Sequence, residues 1–108
     1  MSADGSVQLW SKDGLHVQAR LDAHGQLVIS GQDLRAEQVF GPGAGEYEYG
    51  LTVTAADVPT VVAGLGGRPG DDVLVLLGAH GDDLVAAGEM SWLRTLGVEP
   101  KFWSHIGG

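Results

Sequence analysis

The spacing of the apolar residues changes near residue 54, and this change constrains the fold more than any other feature of the chain. Before it, apolar and polar residues alternate, as in the stretch LHVQARL at residues 15–21. Such alternation is typical of a strand with one buried face. After it, apolar residues recur at every third or fourth position, which is typical of an amphipathic helix. The chain is therefore predicted to form strands first and helices afterwards.

Turn residues divide the first part into a predicted antiparallel meander. Asp13-Gly14 follows VQLWSK and is a strong signal for a two-residue hairpin turn. After the second strand, Gly25 in DAHG suits a left-handed turn before a third strand, QLVIS. EYEYGLTVTA is predicted as a fourth strand with an acidic outer face. Its two faces carry Tyr47, Tyr49, Leu51 and Val53 on one side and Glu46, Glu48, Thr52 and Thr54 on the other.

Helical spacing begins in DVPTVVAGLGG, with Thr54 or Asp57 as the predicted N-cap and Gly66-Gly67 as the stop. Its apolar face would carry Val58, Val61, Val62 and Leu65. Residues 88–96 show the same spacing, and Gly97 follows them. VEPKFWSHI is predicted as a last strand at an edge of the sheet, because Pro100 cannot donate a hydrogen bond to a ladder.

These elements predict an α+β fold: an antiparallel meander sheet of about four to five strands, with two to three helices packed on one face. Residues 1–6 are expected to be flexible and residues 7–108 to form a single domain. In the connector at 31–45, Asp33 could cap a short helical turn. That turn would carry Leu34, Val39 and Phe40.

The stretch VLVLLGAHGDDLVAAG, residues 73–88, supports two interpretations. In one, a buried strand delivers a histidine and two carboxylates to a metal ion. Residues 73–83 resemble the strand-to-loop motif of the zinc-dependent N-acetylglucosamine deacetylases. That resemblance implies His80 and Asp83 as zinc ligands and Asp82 as the general base of a small metal-dependent hydrolase. The motif's proline and glutamate are replaced by Gly81 and Leu84, and its third ligand has no counterpart nearby.

In the other interpretation, which capping chemistry favours, the stretch forms two helices joined by a glycine-rich corner. Gly70, Asp71 or Asp72 would start the first helix, because carboxylates favour the positive end of a helix dipole. Gly78 and Gly81 would end it. Asp82 or Asp83 would then cap the second helix.

Charge and composition narrow the classes of partner. The 14 acidic and 6 basic residues give a net charge of −8. Nucleic acid and anionic membranes are poor partners for such a chain, and a basic protein is a good one. There is no cysteine, which excludes disulfides and thiolate metal sites, and no apolar run of membrane-spanning length. We expect a cytoplasmic protein without a cofactor.

The leading hypothesis is a non-enzymatic protein-binding module that neutralises a basic partner. Catalytic spacing is missing from the Ser and His residues, and Glu46 and Glu48 point outward together, as an acid/base pair would not. Large aromatic residues favour interfaces, and Trp103 is expected to be half exposed. The candidate partner-binding residues are Glu46, Glu48, Asp82, Asp83 and Trp103. The alternatives are the hydrolase and a structural or assembly subunit that pairs through its terminal strand.

A wider resemblance covers most of the chain, from Leu21 to His105. LVISGQDL, EYEYGLTV, DVPTVVAGLGG and WLRTLGVEPKFWS resemble stretches of small, acidic, Gly- and Ala-rich proteins of actinobacteria. The resemblance implies a helix at residues 70–78. In size and charge, proteins of this kind are similar to the immunity proteins of bacterial toxin systems, which is the basis for calling the predicted module immunity-like.

Overall fold

The computed structural model describes residues 5–35 and 45–107 and has the predicted α+β fold. The strands are β1 (Ser6–Lys12), β2 (Leu15–Leu21), β3 (Leu27–Asp33), β4 (Glu46–Val53) and β5 (Lys101–Gly107). The helices are α1 (Val58–Gly64), α2 (Val73–Ala79), α3 (Gly81–Ala87) and α4 (Glu89–Thr95), with a 3₁₀ turn at Ala55–Asp57 before α1. Within these ranges the helices number four rather than two or three.

The five strands form one antiparallel sheet in the order β1-β2-β3-β4-β5, which confirms the meander. Asp13 and Gly14 both have positive φ, 56° and 80°, as the tight hairpin between β1 and β2 requires. Gly25, with φ of 75°, turns the chain between β2 and β3. β1 begins at Ser6, one residue before the expected start of the domain.

The hydrophobic core lies between one face of the sheet, called the inner face, and the helices. Buried side chains come from the strands and from all four helices, so each helix contributes apolar surface to the same layer. The core residues are Leu9, Val17, Ala19, Leu27, Ile29, Leu51, Val53, Val61, Val62, Val73, Leu77, Leu84, Leu93 and Val98. The opposite face, called the outer face, is covered by none of the described helices and carries mostly polar side chains.

Residues 73–79 form a helix, which confirms the helical interpretation and shows that the strand interpretation was wrong. Val73 and Leu77, one turn apart, are buried against the sheet, whereas Val75 points away and is 67% exposed. Asp72 is the N-cap, and its carboxylate accepts a hydrogen bond of 2.9 Å from the Leu74 amide. This bond satisfies an amide that the first helical turn leaves free.

Three expectations about the α2–α3 corner were wrong. Gly78 lies inside α2 rather than at its end, and Gly81 is the first residue of α3. His80 occupies the position between the two helices. Asp82 and Asp83 lie in the first turn of α3 and make no capping hydrogen bond. At that position their charges favour the positive end of the helix dipole.

The stop of α1 was predicted correctly. Gly66 has φ of 80°, and the amides of Gly66 and Gly67 donate to the carbonyls of Ala63 and Val62. Asp57 stands at the N-cap position without a side-chain capping bond.

The expected helical turn after Asp33 falls largely outside the described residues. Val39 and Phe40 are not among them, and the Asp33 carboxylate accepts a hydrogen bond from the Arg35 amide.

The two edges of the sheet differ. At the β1 edge, the backbone of α3 packs so closely that a Cβ built on Gly81 would lie 2.5 Å from the carbonyl oxygen of Leu9. At the other edge, β4 is the only strand of the described ranges that pairs with β5, as the edge-strand prediction required. Its two apolar side chains on the inner face, Phe102 and Ile106, are 54% and 49% exposed. Within the described residues, a helix therefore packs against the backbone of β1, whereas residues 101–106 of β5 are exposed.

Candidate protein-binding surface

Strand register arranges the outer face in three rows that cross all five strands. The first row is Ser11, His16, Gln32, Glu48 and His105. The second row is Gln8, Gln18, Ser30, Gly50 and Trp103. The third row is Ser6, Arg20, Val28, Thr52 and Lys101. Because each row joins residues that face one another directly, side chains within a row contact one another across the strands.

Charge is distributed unevenly over these rows. Glu48 lies in the first row and Glu46 just beyond it, whereas Arg20 and Lys101 lie in the third row. Glu48 and Thr52 are four residues apart on β4, so the two charged rows are separated by roughly 13 Å. A neutral row of amide and hydroxyl groups, ending in Trp103, lies between them. The outer face thus has an acidic end and a basic end.

The outer face is concave. The concavity has a volume of about 640 Å³, and its described lining consists of residues of the strands and of the β2–β3 turn. Asp22 lies in that turn, where hydrogen bonds from the Gln26 and His24 amides hold its pKa below the ordinary value. Polar side chains on an open curved sheet present hydrogen-bonding groups to whatever lies against them.

The indole of Trp103 packs against the backbone of β4. A Cβ built on Gly50 would lie 2.2 Å from the indole nitrogen, so the ring occupies the space that any other residue would fill. The side chain is 46% exposed, which confirms the expectation of half exposure. The indole therefore offers a flat apolar surface at the end of a polar row.

Glu46 and Glu48 both lie on the outer face of β4, as predicted, and both are partly buried. Glu46 accepts a hydrogen bond of 2.5 Å from the side-chain amide of Gln32. Glu48 lies between Gln32 and His105 in the first row, and its carboxylate has no hydrogen-bond or ionic partner among the described residues. Glu48 is therefore the acid on this face whose charge is least compensated.

Asp82 and Asp83 lie elsewhere. They project from the start of α3 beside β1, at the opposite edge of the sheet from Trp103. With Ser11 and His80 they help to line a separate depression of about 320 Å³. The five candidate residues consequently form two surfaces rather than one, and Glu46, Glu48 and Trp103 belong to the same one.

His80 and the two aspartates do not form a metal-binding cluster. In the parts of the chain that the structure describes, no three His, Asp or Glu side chains come together as metal ligands. His80 is exposed at the helix corner. The helix at residues 73–79 also removes the strand on which the deacetylase motif depends.

A buried pair on the inner face was not found from the sequence. The hydroxyl of Tyr49 donates a hydrogen bond of 2.5 Å to the carboxylate of Glu89, which is 9% exposed at the start of α4. Burial, and then this hydrogen bond, raise the pKa of Tyr49 above its ordinary value. The ring lies over Gly31, where a Cβ would be 2.2 Å away. The isolated glycine in β3 was the available signal, because such glycines often mark a close approach.

The outer face supplies amides, hydroxyls, opposite charges at its two ends and one aromatic platform. These groups suit recognition of a polar surface. Among the helices that the structure describes, none has the length and apolar character needed to cross a membrane. The resemblance to the small actinobacterial proteins stays a prediction, since comparison with family models, curated proteins and solved structures found no match.

Proposed function

We propose that this chain is a non-enzymatic, immunity-like protein-binding module whose outer face binds and neutralises a basic partner protein. The observation that carries the proposal is that Glu48, partly buried and without a partner among the described residues, shares a sheet face with the half-exposed Trp103, and that none of the described helices covers this face. Glu46 extends the acidic end of this face.

Electrostatic interactions favour a basic partner both at long range and in direct contact. Far from the surface, the net charge of −8 attracts a positively charged protein and speeds its approach. At contact, a lysine or arginine of the partner would supply the counter-charge that Glu48 lacks. A hydrogen bond to a charged group contributes about 1.5–3 kcal/mol, and a partly desolvated carboxylate is a better acceptor for it than a fully hydrated one.

Trp103 would supply the apolar anchor. Interface residues with large effects on affinity are enriched in tryptophan, and they lie next to polar groups that exclude water. The close packing of the indole on Gly50 restricts its motion, so less side-chain entropy is lost when a partner covers it. The hydrolase alternative has no comparable support, because its motif lies on helices.

The experiment uses the purified protein as bait in a lysate of the native host, followed by identification and purification of the captured protein. Binding of the purified pair is then measured by isothermal titration calorimetry for wild type, Glu48→Gln, Trp103→Ala and the control Asp82→Asn with Asp83→Asn. We expect a basic partner whose affinity falls about tenfold or more with either outer-face variant.

The control variant removes two charges from the other surface and should change the affinity by less than about threefold, through long-range attraction alone. Raising the salt concentration should weaken binding of the wild type. An acidic partner, or a partner that binds wild type and both outer-face variants equally, would overturn the proposal.

A further inference from the structure

The open edge of β5 matches a second copy of the same strand. We propose that β5 pairs antiparallel with β5 of a second copy about a two-fold axis at Ser104, so that two five-stranded sheets join into one sheet of ten strands. This inference goes beyond the proposed function, because it concerns the purified chain alone and needs no other protein.

An unpaired strand edge is a template for another strand. Alternate residues of β5 direct their backbone N–H and C=O groups away from β4, where no other described strand pairs with them. The β1 edge differs, because the backbone of α3 packs against it at Leu9. Exposed large apolar side chains are also concentrated on β5. Among the described residues these side chains are Leu21, Leu34, Val75, Phe102, Trp103 and Ile106, half of which belong to β5.

The sequence KFWSHIG is complementary to itself when it is reversed about Ser104. Phe102 of one copy then faces Ile106 of the other, so that two half-exposed apolar side chains cover each other on the inner face. On the outer face, Trp103 faces His105, which places two aromatic rings side by side. The two-fold axis produces each of these contacts twice, as in an isologous interface.

Charge complementarity fixes the same register. Lys101 of one copy would face residue 107 of the other, which is a glycine and which pairs with Glu46 on β4. Lys101 and Glu46 would thus lie two strands apart, roughly 10 Å between backbones, and their long side chains meet over the glycine. Two such ion pairs form, one at each end of the interface.

Neighbouring registers lose these contacts. A two-fold axis at Trp103 would oppose Lys101 to His105 and Phe102 to Ser104. An axis at His105 would oppose Ile106 to Ser104 and leave Trp103 against a glycine. The net charge of −8 does not prevent association, because Lys101 is the only Lys, Arg, Asp or Glu on β5.

A single cysteine tests the axis directly, since the chain has none of its own. Across an antiparallel pair, the Cα atoms of directly opposed residues lie about 4.5–5.5 Å apart, within the range that a disulfide spans. The Ser104→Cys variant should therefore form a covalent dimer under mild oxidation. Ser91→Cys, the same change at an exposed position on α4, is the matched control and should remain largely monomeric on a non-reducing gel.

A charge exchange tests the register. Sedimentation equilibrium should show a dimer for the wild type, with Lys101→Glu and Glu46→Lys each weakening dimerisation about fivefold or more. The double variant restores the pairing with reversed signs and should recover most of the loss. Asp82→Lys, a reversal away from β5, should not weaken the dimer.

The outcomes separate clearly. A protein that is monomeric up to millimolar concentration overturns the proposal, as does a dimer in which Ser104→Cys cross-links no better than Ser91→Cys. If the dimer cross-links at Ser104 but the double variant does not recover dimerisation, the proposed register is wrong. Failure of the protein-binding proposal would leave all of these results unchanged, because none of them uses a partner protein.

Discussion

Tyr49 and Glu89 show how a single buried contact joins the sheet to the last helix. The two residues are 40 positions apart, and their hydrogen bond links the middle of β4 to the first turn of α4. Gly31 makes room for the tyrosine ring on the neighbouring strand. A carboxylate that is 9% exposed depends on its donor, because an unsatisfied buried acceptor pays the full cost of desolvation.

The Tyr49→Phe variant should lower the free energy of unfolding at neutral pH by about 1–3 kcal/mol, since it leaves Glu89 without this donor. The pH dependence should also change. The folded-state pKa of Tyr49 is raised above 10.0, so its contribution to stability is fully present below about pH 10 and is lost as the pH rises further, when the unfolded chain releases the proton first.

Urea denaturation of wild type and Tyr49→Phe at neutral pH and between about pH 9 and 11 measures both effects. The wild type should lose stability more steeply than the variant over the alkaline range. A Tyr49→Phe variant with the stability and the alkaline slope of the wild type would show that the contact with Glu89 contributes nothing.

At the level of elements, the close packing of α3 on β1 is the contact that closes one edge of the sheet. β1 carries a β-bulge between Gln8 and Trp10, and Leu9 at the bulge is buried under the helices. Gly81, at the start of α3, lies against the backbone of Leu9. Because both sides of this contact are backbone, neither can turn away from an added side chain.

The Gly81→Ala variant should therefore destabilise the protein by about 1–3 kcal/mol, as overpacking of a close contact does. Gly78→Ala is the matched control in α2, where the added methyl would meet only Cγ2 of Val7 at 2.9 Å. There a gain in helix propensity of about 1 kcal/mol offsets the crowding. Thermal denaturation measures the stability of both variants. If Gly78→Ala is as unstable as Gly81→Ala, the close contact of Gly81 with Leu9 is not the cause.

Most elements followed from residue spacing and turn chemistry. The alternation in residues 15–21, the Asp13-Gly14 turn and the stop at Gly66 were each visible locally, and each is where it was predicted. The corner between α2 and α3 was not visible locally, because Gly78, Gly81 and the two aspartates suit the end of one helix as well as the start of the next. Tertiary packing determines the residue at this corner. Position 81, inside the helix, needs a glycine because its backbone approaches Leu9, and no local sequence pattern reveals that contact.

For the whole molecule, the distribution of charge matters more than its sum. The described residues contain two side-chain ion pairs, Arg35 with Asp33 and Arg94 with Glu99, both at the surface. Most of the other acids within residues 5–35 and 45–107 form no such ion pair. The folded state therefore holds many like charges within a small volume, and this repulsion lowers its stability at low ionic strength.

Added salt should stabilise the protein. Raising NaCl from about 10 mM to about 150 mM shortens the Debye length from about 30 Å to about 8 Å, and we expect the Tm to rise by about 3 °C. Differential scanning calorimetry at both concentrations measures the change. The Asp82→Asn and Asp83→Asn double variant, which carries less charge, should show a smaller rise. A Tm that falls with added salt would indicate that attractive pairs dominate instead.

The candidate surface could be predicted only in part. Outward orientation of Glu46 and Glu48 follows from alternation along one strand, and exposure of Trp103 follows from its place at an edge. Their proximity does not follow, because it depends on β5 pairing with β4 in one register after a long excursion through the helices. Asp82 and Asp83 looked equivalent to the two glutamates in charge, yet the topology places them at the other edge.

The long connection between β4 and β5 also affects the order of folding. β1 to β4 are joined by local connections, so their pairings close short loops, whereas β5 can join β4 only after residues 54–100 have been gathered into the helical layer. The entropy lost on loop closure grows with loop length, and distant pairings form more slowly than local ones. We expect β5 to be the last strand to add. During synthesis, the edge exposed to other chains would then belong first to β4 and only later to β5.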